Sequence, residues 1–140
     1  MKKILCFGEV LWDVYPDKIE IGGAPFNVYH RLHSFGLDVN FISSVGKDKL
    51  GNNVINYFQK NNLSTNFLNV DKNYQTGQVL INPKSGEPDY DILENVAWDY
   101  IPFKKKYLKY SDDFDCIVYG SLGIRTVSYT HLTLPTMYTV

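Results

Sequence analysis

Cysteine, charge of one sign and long apolar runs are all scarce in this sequence, and each scarcity removes a class of function. Only Cys6 and Cys116 occur, each inside an apolar, strand-like run where a buried free thiol is common. Without metal-type spacing or an export signal, they point to a reducing cytoplasm. Lys and Arg number 14 against 15 Asp and Glu, for a net charge of -1. No broad field is available to gather nucleic acid or anionic lipid, so neither is an expected partner. A run of about 18 apolar residues is missing, which argues against a membrane span. The opening Met-Lys-Lys suits a signal peptide, but the apolar run at 4–7 is soon interrupted by Glu9 and Asp13. The sequence also lacks Gly-x-Gly-x-x-Gly and the P-loop order of glycines, which disfavours a nucleotide-binding dehydrogenase and leaves Gly46 and Gly51 as backbone punctuation. His30, His33 and His131 are too scattered for a metal site.

What is present suffices for a core: 140 residues, 44% of them hydrophobic, a length that favours one domain. Residues 3–10 form an apolar run with β character, and 17–21 read as a shorter strand after the turn at Tyr15-Pro16-Asp17. The stretch GGAPFNVYHRLHSFG then reads as one short helix with its limits written in. Pro25 suits the first turn, where its missing N–H would be unpaired anyway. Val28, Leu32 and Phe35 recur at helical spacing, and Gly36 falls where a left-handed residue closes a helix. Residues 39–45 read as strand, and Asp48 is placed to cap a second helix bearing Leu50, Val54, Tyr57 and Phe58. This alternation predicts an α/β sheet. Residues 76–82 and 89–93 flank PKSGEP and read as a hairpin. A basic, tyrosine-bearing helix or loop on a solvated face is expected at 104–110, and strand again at 115–120. After Arg125 the composition changes: residues 126–140 hold five threonines and no Asp, Glu, Lys or Arg. Such a stretch is either a natural strand or an aggregation hazard where exposed.

Asp13 follows the first apolar run, and open α/β sheets bind ligands beyond their strand ends. A carboxylate there can accept two hydrogen bonds from neighbouring hydroxyls, as a sugar presents them. It can equally cap a turn, and position alone leaves the two readings level. Gly22 and Gly23 offer main-chain amides with no Cβ in the way, so a polyol could lie against the backbone; an isolated Gly-Gly is more often a tight turn. Asn27 shifts the balance, because in the first helical turn it brings a donor and an acceptor to the same place. Asp13, Gly22, Gly23 and Asn27 would then converge on one small polar pocket. Trp12 and Trp98 could wall a sugar, or simply fill core.

The same residues carry a family likeness. GGAPFNVYHRLHSFGLDVNFISSVG resembles the N-terminal signature of the PfkB, or ribokinase-like, carbohydrate kinases. That signature has paired glycines, an Asn four residues after the second, a helix-closing Gly and a further Gly ten residues on; here these are Gly22, Gly23, Asn27, Gly36 and Gly46. GEVLWDVYP is similar to the family's first strand and its sugar-holding Asp, at Asp13. VGKDKLG resembles the segment that follows, TGQVLINPKSGEPDYDILENVAWDYI the hairpin of the family's lid, and FDCIVYGSLGIR the next sheet strand. Tyr29 departs from the signature, which has Ala, Ser or Thr there, and its size predicts crowding. GEVLWD and ENVAWD look most like fructokinase-type members.

The resemblance implies the N-terminal part of a three-layer α/β/α fold with a small β lid, the lid strands falling near 17–21 and 76–93. It implies transfer of the γ-phosphoryl group of ATP to a sugar hydroxyl, with ATP and Mg2+ as cofactors and a small sugar as partner. Such chemistry rests on positioning and electrostatic stabilisation. Asp13, Gly22, Gly23 and Asn27 would bind the sugar. The family's catalytic base stands in a Gly-Ala-Gly-Asp motif of the C-terminal half, which this sequence lacks together with the ATP site. Residues 1–125 therefore read as the sugar-holding half of a kinase domain, inactive alone and without good ATP or Mg2+ binding of its own. VSYTHLTLPT resembles the translated read-through of a sequencing adapter, so 126–140 reads as a non-native tail. The alternative is a non-catalytic module that binds sugar, or a partner through the lid. An unpaired lid edge also offers a homodimer contact.

Overall fold

The computed structural model describes residues 2–110, 113–126 and 137–139. Its elements are β1 (Lys3–Phe7), β2 (Leu11–Val14), β3 (Ile19–Gly22), α1 (Ala24–Ser34), β4 (Asp38–Gly46), α2 (Lys49–Lys60), β5 (Leu68–Asp71), β6 (Gly77–Asn82), β7 (Asp89–Ile92), β8 (Cys116–Tyr119) and β9 (Met137–Thr139). They form two sheets. One is parallel, in the order β5-β4-β1-β8-β9; the other is mixed, in the order β3-β2-β6-β7.

Strand alternation sorts the parallel sheet's side chains onto two covered faces, as parallel sheets require. Cys6, Val39, Phe41, Val45 and Val118 face Phe26 and Tyr29 of α1 and Val54 and Phe58 of α2. Phe7 and Ile42 point the other way, into a cluster with Phe67 and Ile101 that Tyr107 helps to close. Segment 104–110 is accordingly only half solvated: it contains a 3-10 turn, Lys105–Lys109, and the Tyr107 ring meets Phe67 edge-on.

Both helices start where their sequence signals stand. Pro25 occupies the first turn of α1, and Asp48 caps α2 by accepting a hydrogen bond from the Gly51 amide at 2.7 Å. The expected hairpin is β6 and β7, antiparallel.

Three expectations need correction. The run at 3–10 is not one strand: β1 ends at Phe7, and the chain crosses through Gly8 to Val10 into β2 of the other sheet. Asp13 therefore lies within a strand of the smaller sheet, not just beyond the end of a strand of the main sheet. The short strand expected at 17–21 begins later, at Ile19, because Tyr15 to Lys18 form a turn closed by the Tyr15 amide on the Lys18 carbonyl at 2.9 Å. Tyr29 does not crowd its helix. It is fully buried, stacked on Phe41 with ring centroids 5.2 Å apart, and its hydroxyl accepts from the Ser64 amide at 3.2 Å.

The tail expectation falls mostly on 127–136 and 140, outside the described residues; Met137–Thr139 extends the sheet beside β8.

Candidate functional site

The smaller sheet places Asp13. Directly paired residues on neighbouring strands share a face, so Glu20, Asp13, Val79 and Ile92 form one row across all four strands, and Gly22, Leu11 and Gly77 form the next. Asp13 is thus a half-buried carboxylate with Glu20 beside it on β3 and an apolar cluster beside it on the same face, where Leu11, Val79 and Ile81 pack with Tyr15 and Ile92. It accepts no hydrogen bond from any of the described residues. Burial first, and the charge of Glu20 second, push its pKa above the usual carboxylate value. A carboxyl in that condition has acceptor capacity to offer a ligand.

Gly22 lies directly against it: a β-carbon at position 22 would stand 2.6 Å from Asp13 Oδ2. Gly23 has a different constraint. Its φ is +111°, and a β-carbon there would stand 2.5 Å from the Glu9 carbonyl oxygen. It is also the N-cap residue of α1, and its carbonyl accepts from the Asn27 amide at 2.8 Å. Asn27 is exposed on the first turn of that helix. The structure therefore brings Asp13 and Gly22 into contact and sets Asn27 one helical turn beyond Gly23, along a single course of chain from β3 into α1.

Glu9 is a part of this region that a reading of the residues passes over, since its only signal is a charge inside an apolar run. It is 1% exposed. Its Oε1 accepts from the Ala24 amide at 3.3 Å, supplying the cap that Gly23 has no side chain to give. Its Oε2 has no hydrogen-bond partner among the described residues. Burial raises its pKa against the opposing pull of backbone amides and of Arg125.

Neither tryptophan is available to wall a sugar. Trp12 alternates onto the other face of β2, and its indole N–H donates to the Leu50 carbonyl at 3.0 Å. Trp98 is 1% exposed and covered by the Arg125 guanidinium, 4.1 Å from the ring centroid. His30 and His33 make ring contacts with Phe26 and Tyr29. Among the described residues, no three His, Cys, Asp or Glu side chains gather as metal ligands. No described helix is long and apolar enough to cross a membrane. Cys6 is fully buried, and burial, with Cys116 nearby, pushes its thiol up to about 12.

The profile of the pfkB family carbohydrate kinases matches residues 1–97. The chain belongs to that family. This pfkB chain is 32% identical over 77 residues to a sugar kinase of Pyrococcus horikoshii, covering 55% of the chain and 25% of that protein. It is 35% identical over 81 residues to 5-dehydro-2-deoxygluconokinase 2 of Bacillus cereus, covering 55% and 24%. It spans about a quarter of the length of these curated relatives. Among solved structures, the pfkB chain is similar to Halothermothrix orenii fructokinase, with a TM-score of 0.74 and 18% identity over 91% of this chain and 52% of that one. It is similar also to the P. horikoshii sugar kinase in complex with ATP, with a TM-score of 0.73 and 24% identity over 86% and 44%. The fold is the ribokinase-like α/β arrangement of pfkB sugar kinases; β3, β6 and β7 of the smaller sheet fall in the segments near 17–21 and 76–93 expected as lid strands, and β2, expected as part of the first strand, joins them in that sheet.

Proposed function

We propose that this chain is the sugar-holding portion of an ATP-dependent carbohydrate kinase, most like the fructokinase-type members. The Asp13 carboxylate accepts hydrogen bonds from sugar hydroxyls, the main chain at Gly22 and Gly23 lets the ring come close, and the Asn27 amide fixes its orientation. One observation carries this reading: Asp13 sits half-buried at the edge of an apolar cluster, against a glycine, with both oxygens unclaimed by the described residues. A partly desolvated acceptor with no internal partner is suited to a ligand that brings its own hydroxyls.

ATP and Mg2+ belong to the remainder of the parent protein. The sequence has no Gly-Ala-Gly-Asp motif to supply a base. Bound there, ATP would supply the phosphoryl group and Mg2+ would offset its charge. This chain's own residues bind and orient the acceptor, and the chain alone transfers no phosphoryl group. A homodimer through the open edges of the lid sheet, a cytoplasmic location, and a non-native origin of 126–140 complete the reading.

Titration of the 140-residue chain with D-fructose, D-ribose and D-glucose, followed by amide NMR, tests it. At least one sugar should shift the Gly22, Gly23, Ala24 and Asn27 signals saturably. Shifts confined to other regions, or none with any sugar, would overturn the assignment. The second reading, a non-catalytic binding module, predicts the same shifts but no Gly-Ala-Gly-Asp codons downstream in the gene. Resequencing the DNA across codon 125 reads both that frame and the tail.

A further inference from the structure

The lid hairpin joins the rest of the molecule at two roots, Gly77 at the start of β6 and Leu93 just after β7, and one side-chain group holds both. Arg125, following β8, grips Asp99 in bidentate fashion, Nε on Oδ1 at 2.7 Å and Nη2 on Oδ2 at 2.7 Å. The same Nη2 donates to the Leu93 carbonyl at 2.8 Å, while the Leu93 amide donates to Gln78 of β6 at 3.1 Å. The guanidinium lies over Trp98. Trp98 in turn presses on the other root: a β-carbon on Gly77 would stand 2.3 Å from its Nε1 and 2.5 Å from its Cδ1. The indole N–H has no hydrogen-bond acceptor among the described residues, so the ring serves here as a flat surface held between a glycine and a cation. Asp99 is 2% exposed at its side chain and Arg125 22%. A pair this buried contributes little net stability, and its use is in fixing geometry; the planar fork of arginine suits that use better than lysine does.

The consequence for the site follows from register. Gly77 shares its row with Leu11 and Gly22, and Asp13 stands in the adjacent row. A shift of the Trp98 ring moves Gly77 and, through Leu11, the glycine against which the Asp13 carboxylate rests. We propose that Trp98, Asp99 and Arg125 form the seat of the lid and are positioning residues for the Asp13 site. The inference rests on the sugar-site reading only for its effect on binding; the seating of the lid stands by itself.

Hydrogen exchange on the 140-residue chain separates the two. In Arg125→Met, and independently in Gly77→Ala, which would displace the indole, β6 and β7 amides should exchange roughly tenfold faster or more while β1 and β4 amides stay near the wild-type rate. Arg125→Lys, which keeps the charge but not the fork, should fall between. Affinity for whichever of D-fructose, D-ribose or D-glucose the wild type binds should drop in step with lid exchange. Equal acceleration of lid and core amides, or an unchanged lid, would overturn the proposal. Failure of the wild type to bind any of the three sugars would count against the sugar site, and the exchange result would still decide the seat.

Discussion

Thr76 meets Asp48 twice: its amide donates to Oδ2 at 2.8 Å and its hydroxyl to Oδ1 at 2.7 Å. The threonine hydroxyl oxygen also accepts from the Gly46 amide at 2.9 Å. One helix-capping carboxylate thereby ties the end of β4, the first turn of α2 and the approach to β6. Asp48→Ala should cost about 2 kcal/mol in urea unfolding, toward the upper end for loss of a helix cap, because the Thr76 contacts are lost with it.

Burial alone would raise the Asp48 pKa, but hydrogen bonds from Thr76 and from the Gly51 and Leu50 amides outweigh it and leave the pKa lowered. A carboxyl whose folded pKa is depressed contributes stability above its unfolded value, near 4, and loses it as pH falls through the folded value. Unfolding midpoints measured from pH 6 down to pH 2 should fall less steeply in Asp48→Asn than in wild type.

Asp13 has the opposite sign. Its folded pKa is raised by burial and by Glu20, so ionisation disfavours the folded state, and the penalty appears as pH rises through the carboxylate range. Asp13→Asn should leave the sugar-free chain at least as stable as wild type at pH 7, with the difference vanishing at acid pH. Thermal unfolding at the two pH values checks this.

The paired glycines should respond differently. At Gly22 an added methyl meets the end of a side chain, Asp13 Oδ2, which can move aside. Gly22→Ala should cost no more than about 1 kcal/mol of stability yet weaken sugar binding by displacing the carboxylate. At Gly23 the methyl meets backbone and the φ is positive, so Gly23→Ala should destabilise by about 1–3 kcal/mol. Denaturant midpoints paired with sugar titrations distinguish the two.

Tyr29→Ala should destabilise by about 3–5 kcal/mol, the usual cost of deleting a buried ring, and Tyr29→Phe by about 1 kcal/mol for the lost hydrogen bond from Ser64. Equilibrium unfolding of both variants measures the difference.

Much of this architecture was legible because its signals are local. Pro25 and Gly36 bracket α1, Asp48 announces α2, and the turn residues between β6 and β7 mark a hairpin. What escaped depends on distant partners. The move from β1 to β2 happens inside an apolar run in which Leu11 and Trp12 look no different from Leu5 and Phe7; only pairing with β4 on one side and with β3 and β6 on the other separates them. β5, LNVD, is short and half polar, and exists because β4 offers it an edge. The candidate site divides in the same way. Asp13, Gly22, Gly23 and Asn27 stand out by residue type, whereas Glu9 at the start of α1 and Arg125 on Asp99 answer to residues 15 and 26 positions away.

The most direct test of the account is the affinity of the wild-type chain and of Asp13→Ala for the sugar that binds, measured by titration calorimetry at pH 7. A loss of about 1.5–3 kcal/mol, the worth of hydrogen bonds to a charged group, is the predicted result. Equal affinities in a folded Asp13→Ala chain would contradict it.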